Sequence, residues 1–390
     1  MICRLVAAVV TLACVVSMAD AQQIATRALT QPRARSSEAF TDIVGAHELA
    51  DGRVLVADRR DNRIALVDFA WQRVTNVSRV GPGPLEYDGA FALVAWLGDT
   101  VLVYGRRTLL QISPEGAPVA RVDALTPGTA GGGTSPPRFS DRMGRLYHEV
   151  TPPLERNPDG SFIPPIRGPV LRWNPRNGSV DTAAWIVHRD PKQPLVRPWR
   201  PYPAKDGVAV LPDGRVLVVK AQDYHLEVWR DGKLLMRGPT IDVPRLPVTT
   251  AERNAFRDER ARQPAGSLSM PRPQQPASES ERTAARRRVG VPDEAFPPAL
   301  PPIVESEPTL VDADGLIWVA RSYRATDSNR HYDIFNDRGD LVERVTLPNR
   351  GRVIGFGKGA VYVTSLDEDD LQWIERHEMP ARAHRRSARE

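Results

Sequence analysis

Cysteine is nearly absent. The 390-residue chain has two, Cys3 and Cys14, and both lie in its first twenty-one residues. Beyond that stretch there is neither a disulfide framework nor a thiol nucleophile, so stability has to come from packing. The apolar run near the N-terminus, Leu5 to Met18, is shorter than the ~20 residues a membrane-spanning helix needs. The seven histidines show no HxH or HExxH spacing, so no zinc motif is legible. A serine nucleophile elbow, a phosphate loop and a dinucleotide fingerprint are missing too. Gly131-Gly132-Gly133 lacks the Lys-Ser/Thr and the strand-to-helix setting that phosphate binding requires. Aromatic residues make up 6% and do not interleave with the basic clusters, which argues against nucleic acid as a partner.

What is present begins with an export-type leader. Arg4 gives a positive start, Leu5–Met18 an apolar centre, and Ala19-Asp20-Ala21 a small-x-small cleavage site before Gln22. Residues 1–21 are therefore expected to be removed, leaving a periplasmic or extracellular protein. Lipidation at Cys14 is the competing expectation and the one route to a membrane. A lipobox places Leu three residues before its cysteine, where Thr11 stands here. Net charge is +5, and residues 381–390 carry four arginines. That tail, 380–390, reads as a solvated, disordered end.

One phrase recurs along the chain. DGRVLVAD runs from Asp51 to Asp58, DGRVLVVK from Asp213 to Lys220 and DGLIWVAR from Asp314 to Arg321. Weaker echoes lie at Gly98–Gly105, Gly144–Glu149 and Gly359–Ser365. Each copy is a tight turn feeding a short apolar β-run, and a second run follows closely. In the first unit, Asp51-Gly52 marks a hairpin, Val54–Val56 and Ile64–Val67 are strands, and Trp71–Val80 supplies another. Four short strands in about forty-five residues is the size of one propeller blade.

Six such units are expected within a 22–379 body, at 38–80, 84–125, 137–188, 201–243, 307–347 and 350–379. The last offers only three strands. A ring cannot leave that blade short without exposing an edge. The spare β-stretch at 24–29 is the expected fourth strand. The pattern breaks at 244–306, a Pro-rich insertion with two helix starts. Thr249–Glu252 and Ser278–Glu281 are capping boxes, and a Pro/Gln/Ser tract, Gln263 to Ala277, lies between the helices. The expected fold class is all-β: a six-bladed β-propeller with an N-terminal strand closing the last blade, plus a helical and disordered insertion.

GRVLVADRRDNRIALVDF, Gly52 to Phe69, resembles the NHL repeat at Gly52, Val54, Val56, Asp58, Asn62, Arg63, Ile64 and Asp68. The following Gly81–Tyr87 is similar to the linker that joins NHL-type blades, with Pro84-Leu85 where Pro-Gly is usual. The chain as a whole resembles exported bacterial six-bladed propellers of the NHL and TolB-like type. A propeller places its inner strands around an axial channel and its loops at the two mouths, where ligands usually sit. Lactonase and amidating-lyase propellers of this kind hold a metal through His, Glu, Asp and Asn gathered from several blades.

His47-Glu48, on the innermost strand of the first blade, and His148 and His225, on strands of the third and fourth, are the candidate channel ligands. Asp367, Glu368, Asp369 and Asp370 form an acidic run between two strands, with oxygen donors suited to Ca²⁺ but no Gly-containing loop spacing. Asp58 reads as a turn-holding residue, and Trp173, Trp229, Trp318 and Trp373 read as inter-blade packing. No catalytic set is recognised and no cofactor is expected, Ca²⁺ or Zn²⁺ being the ion a metal site would hold. The leading reading is a binding or scaffolding propeller for a protein, peptide or glycan at a channel mouth. A metal-dependent hydrolase or lyase is the alternative.

Overall fold

A strand sandwiched between two neighbouring sheets is buried on both faces, so its sequence runs apolar without alternation. That is the state of Val54–Asp58, Val101–Tyr104, Val216–Lys220 and Ile317–Ala320, which are buried almost throughout. The computed structural model describes residues 24–29, 31–124, 133–156, 162–163, 165–193, 200–262, 278–305 and 307–379. The leader, the tail, the 263–277 tract and the Asn157–Gly160 turn lie outside the described residues.

Six antiparallel sheets form the blades of a propeller. Blade 1 holds Ile43–Glu48, Val54–Asp58, Arg63–Asp68 and Arg73–Asn76 from axis to rim. Blade 2 holds Ala92–Ala95, Val101–Tyr104, Thr108–Ile112 and Pro118–Asp123. In blade 3, Phe139–Ser140, Leu146–Thr151, Arg167–Trp173 and Val180–Val187 follow the same order. Blade 4 runs from Gly207–Val210 to Lys233–Arg237, and blade 5 from Leu310–Val311 to Leu341–Leu347. Blade 6 supplies Arg352–Gly357, Ala360–Leu366 and Gln372–Glu378.

Each interface between neighbouring blades carries its own apolar core. Leu55, Ile64, Val101 and Leu110 join blades 1 and 2, and Leu102, Leu109, Leu146 and Trp173 join blades 2 and 3. Val170, Ile186, Val216 and Val218 follow, then Leu217, Leu226, Ile317 and Phe335, then Trp318, Ile334, Val353 and Val361. Ile43, Val54, Tyr362 and Ile374 complete the circle between blades 6 and 1. There the backbones touch closely: a Cβ on Gly355 would sit 2.1 Å from the Ala46 carbonyl.

The N-terminal segment does close the last blade, but through a different stretch from the one expected. Ala34–Arg35 pairs antiparallel with Gln372–Glu378, with flanking bonds from Arg33 N to Arg376 O and Ser36 N to Ile374 O, both 2.8 Å. The 24–29 stretch instead lies parallel to the outer strand of blade 5, pairing Ala25–Ala28 with Glu343–Thr346. Those residues precede the closing strand in the chain, so the N-terminal segment ties blades 5 and 6 together.

Hairpin turns repeat one device. The Asp141, Asp312 and Asp367 carboxylates each accept the amides two and four residues on. Each also accepts from the aromatic side chain six residues on: Tyr147 OH (2.7 Å), Trp318 Nε1 (2.9 Å) and Trp373 Nε1 (2.7 Å). In the DGR copies, Gly52 and Gly214 take φ of +86° and +83°, and Arg53 and Arg215 fold back on Asp51 and Asp213. Arg215 then reaches Asp337 of blade 5, stapling neighbouring turns.

The insertion folds as two helices, α1 (Thr250–Arg262) and α2 (Glu279–Val289). The Ser278 capping box forms in full, Ser278 N donating to Glu281 Oε2 (2.9 Å) and Glu281 N to Ser278 Oγ (3.2 Å). At α1, Thr249 N donates to Glu252 Oε2 (2.9 Å), while Thr249 Oγ1 accepts from Ala251 N (3.2 Å) instead of the third helical amide. Arg286 on α2 pairs with Asp258 on α1 at 2.6 Å, and Val248, Val291, Ala295, Phe296 and Leu300 make a small core. Glu252 also accepts from Ala325 N (3.1 Å), in the loop between the second and third strands of blade 5. The insertion therefore rests on the face where the inner strands begin.

Candidate functional site: the axial channel

Inner strands of a propeller cannot fill its axis, because each contributes only one row of side chains to a widening centre. Here they enclose a channel of about 470 Å³, lined from all six blades by residues such as Val44, Leu93, Phe139, Val210, Leu310 and Val353. Aliphatic side chains are the commonest in the wall, and polar groups make up as much of its surface. Charge collects at the end where the inner strands begin: Asp42, Arg59, Arg138 and Arg352 line it. A smaller recess of about 80 Å³ opens beside Arg138, lined in part by Glu149, Lys205, Asp206, Glu305 and Glu307.

Most charges around the recess are matched. Lys205 pairs with Glu149 at 2.7 Å, Lys220 with Asp206 and Arg330 with Glu307. Burial raises the Asp206 carboxyl above its ordinary value, against the pull of Lys220. Glu305 is raised as well by the protein around it, although its side chain keeps contact with solvent, with Lys205, Arg200 and Arg260 opposing. Arg59 Nε donates to Asp42 (2.8 Å), and Arg352 donates to the Ile43 carbonyl. Arg138 is solvent-exposed although protein surrounds it, as expected of a side chain facing a water-filled channel.

The sequence candidates separate. His47 lines the channel, toward its far end, and burial lowers its pKa while Asp99 and Glu48 raise it. Glu48 points away: its carboxylate accepts from Lys358 N (3.0 Å) and Tyr362 OH and fills the space beside Gly357 in blade 6. His148 is fully buried between blades 2 and 3, its Nδ1 3.0 Å from Ser135 O and its ring packed against Tyr104 and Trp173. Its Nε2 meets no partner, and burial lowers its pKa. His225, on the third strand of blade 4, lies 3.3 Å from Asp223 and 3.5 Å from Glu227. Of the four, only His47 faces the channel; adjacent residues of one strand point to opposite sides, which sends Glu48 into blade 6.

The acidic run Asp367-Glu368-Asp369-Asp370 is a hairpin turn. Asp367 is engaged by Trp373 Nε1 and the Leu371 and Asp369 amides, and those bonds, the indole's first, hold its carboxyl below the usual carboxylate range. Among the described residues no three His, Cys, Asp or Glu side chains gather as a metal cage. The residues present do not fit the ion that the lactonase-type resemblance implies. Asp58 has the structural role read for it, accepting from Arg60 N and Asp61 N and, beyond that turn, from Thr41 and Asp42. Trp173, Trp229 and Trp318 do pack between blades, while Trp373 lies 4.1 Å beneath the Arg35 guanidinium. The three mouth arginines were not singled out in the sequence, whose basic residues are mostly arginine. Their signal is positional, at or just before an inner strand or just after a second one.

No protein-family model and no curated protein matches the chain. Among solved structures it is similar to a gluconolactonase of Xanthomonas campestris, at 14% identity over 87% of each chain with a TM-score of 0.45. It is similar as well to a calcium-binding regucalcin of Agrobacterium tumefaciens (14% identity, 91% of this chain and 96% of that one, TM-score 0.41). A PQQ-bound aldose sugar dehydrogenase of Streptomyces coelicolor covers 89% of this chain and 97% of its own at 14% identity, with a TM-score of 0.43.

Proposed function

We propose that this chain is a binding propeller of the NHL-like type, exported from the cytoplasm, that takes the end of a peptide or glycan into its axial channel. The single observation that supports the reading most is a channel of about 470 Å³, walled by all six inner strands and charged only at its ends. A recess of that size suits a narrow chain end rather than a flat protein surface. The leader-like first twenty-one residues and the cysteine-free remainder fit an extracytoplasmic setting. The alternative, a metal-dependent hydrolase or lyase, lacks a gathered ligand set among the described residues.

A channel plug tests the reading. Ala95 is exposed on the inner strand of blade 2, so Ala95→Trp fills the axis without entering a core. Peptide and glycan arrays probed with the mature chain should give hits that the plugged variant loses while its melting temperature holds. Hits retained by Ala95→Trp would remove the channel from the account. Stoichiometric calcium or zinc in protein purified without chelator, lost on His47→Ala, would favour the metalloenzyme instead.

A further inference from the structure

We infer that the charged mouth of the channel is a binding site for an oxyanion, a carboxylate or phosphate group on the leading end of the ligand, held between Arg138 and Arg352 with Arg59 beside them. This rests on the channel being the ligand's site and adds the ligand's charge. The first support is placement. Arg138 immediately precedes the inner strand of blade 3, Arg352 opens that of blade 6, and Arg59 follows the second strand of blade 1. Blades 3 and 6 of a six-membered ring are diametrically opposed, so Arg138 and Arg352 enter the mouth from opposite sides of the axis, Arg352 leaning onto the Ile43 carbonyl of blade 1. All three side chains line the one cavity.

The second support is positive charge that nearby carboxylates offset only in part. Arg59 is tied to Asp42, but Arg352 is held by a neutral carbonyl, and among the described residues no carboxylate closes an ion pair with Arg138. Glu149 and Glu307 are engaged by Lys205 and Arg330, and the cations facing Glu305 are Lys205, Arg200 and Arg260. Along the channel's own lining at this mouth, Arg59, Arg138 and Arg352 stand against Asp42, while the recess beside Arg138 adds Glu305 and the paired Glu149 and Glu307. The surrounding protein lowers the Arg138 pKa; Glu149 opposes that, Arg352 and Arg59 add repulsion, and Glu307 opposes more weakly. Like charges gathered at one mouth are unfavourable until an anion comes between them. The planar guanidinium fork grips carboxylate and phosphate oxygens in pairs, so the residue type matches the ligand.

Calorimetric titration of the mature chain with glucuronate, with inorganic phosphate and with glucose as the neutral control tests this. At low salt one or both anions should bind, and glucose should not. Arg138→Glu should weaken binding about tenfold or more, the loss expected of one charge-assisted contact, while melting stays unchanged. Arg138→Lys, which keeps the charge and loses the fork, should fall between. Glucuronate alone binding assigns a carboxylate; phosphate alone assigns a phosphate. Neither anion binding, equal binding of glucose, or anion binding indifferent to Arg138→Glu overturns the inference. The two readings fail separately. Array hits lost by Ala95→Trp but kept by Arg138→Glu would leave the channel standing and remove the oxyanion. Anion binding lost in Arg138→Glu but array hits kept in Ala95→Trp would do the reverse.

Discussion

Asp58 holds the first blade to the channel mouth, and removing its carboxylate should be among the most damaging single changes in the chain. The side chain has no solvent exposure and accepts from Thr41 N, Thr41 Oγ1, Asp42 N, Arg60 N and Asp61 N at 2.6–3.2 Å. Asp58→Ala leaves four amides without their acceptor. A hydrogen bond to a charged group is worth about 1.5–3 kcal/mol, but the donors lie near the surface and partly regain water, so the net loss should be about 2–4 kcal/mol. Asp58→Asn keeps the shape and one acceptor oxygen and should lose about 1–2 kcal/mol. Urea unfolding followed by tryptophan fluorescence reads both. Because Asp42 and Arg59 flank this knot, Asp58→Asn should also weaken anion binding at the mouth. A loss below about 0.5 kcal/mol for the alanine variant, the size of an ordinary surface change, would refute the reasoning.

Three further outcomes follow from the same structure. Removing residues 1–30 takes away the parallel strand on blade 5 and should lower the unfolding midpoint while leaving one cooperative transition; removing residues 1–38 deletes Ala34–Arg35 and opens blade 6, and should abolish that cooperativity by calorimetry. His148 is held below its ordinary pKa by burial, so the unfolded chain takes up its proton first as pH falls below about 6.5. Stability is then complete above that value and declines as pH falls toward the folded-state pKa; midpoints measured from pH 8 to 5 should show this, and His148→Phe should flatten the slope. Asp312→Ala breaks the turn knot to Trp318 Nε1 and the Asp314 and Leu316 amides and should cost about 1–3 kcal/mol in urea, with a shift in tryptophan emission.

The blades were legible because their strands are buried on both faces and turn on Asp-Gly pairs, which leaves apolar runs and glycines at regular intervals. Even the incomplete sixth blade announced that a strand had to come from elsewhere. Which strand was not legible: Ala34–Arg35 is two residues long with no pattern, whereas Ile24–Leu29 looks like a strand and is one, on blade 5. The capping boxes marked both helix starts. The channel was harder to read because side-chain direction there depends on bulges. Pairing slips between Ile43 and Gly45 in blade 1 and between Val353 and Gly355 in blade 6, next to the mouth. Such slips reset which residues face the axis, and no alternation rule recovers them. The Asp367 run misled for a related reason: its chemistry is set by Trp373, six residues on, a spacing shared with Asp141–Tyr147 and Asp312–Trp318 that shows only once the turns are seen.

The most direct test of the account is diffraction from crystals of the mature chain soaked with an oligogalacturonate. The account puts ligand density on the axis, its leading carboxylate between Arg138 and Arg352 and its body running toward His47. Ordered ligand on the rim of a blade, or an axis closed by side chains, would contradict it.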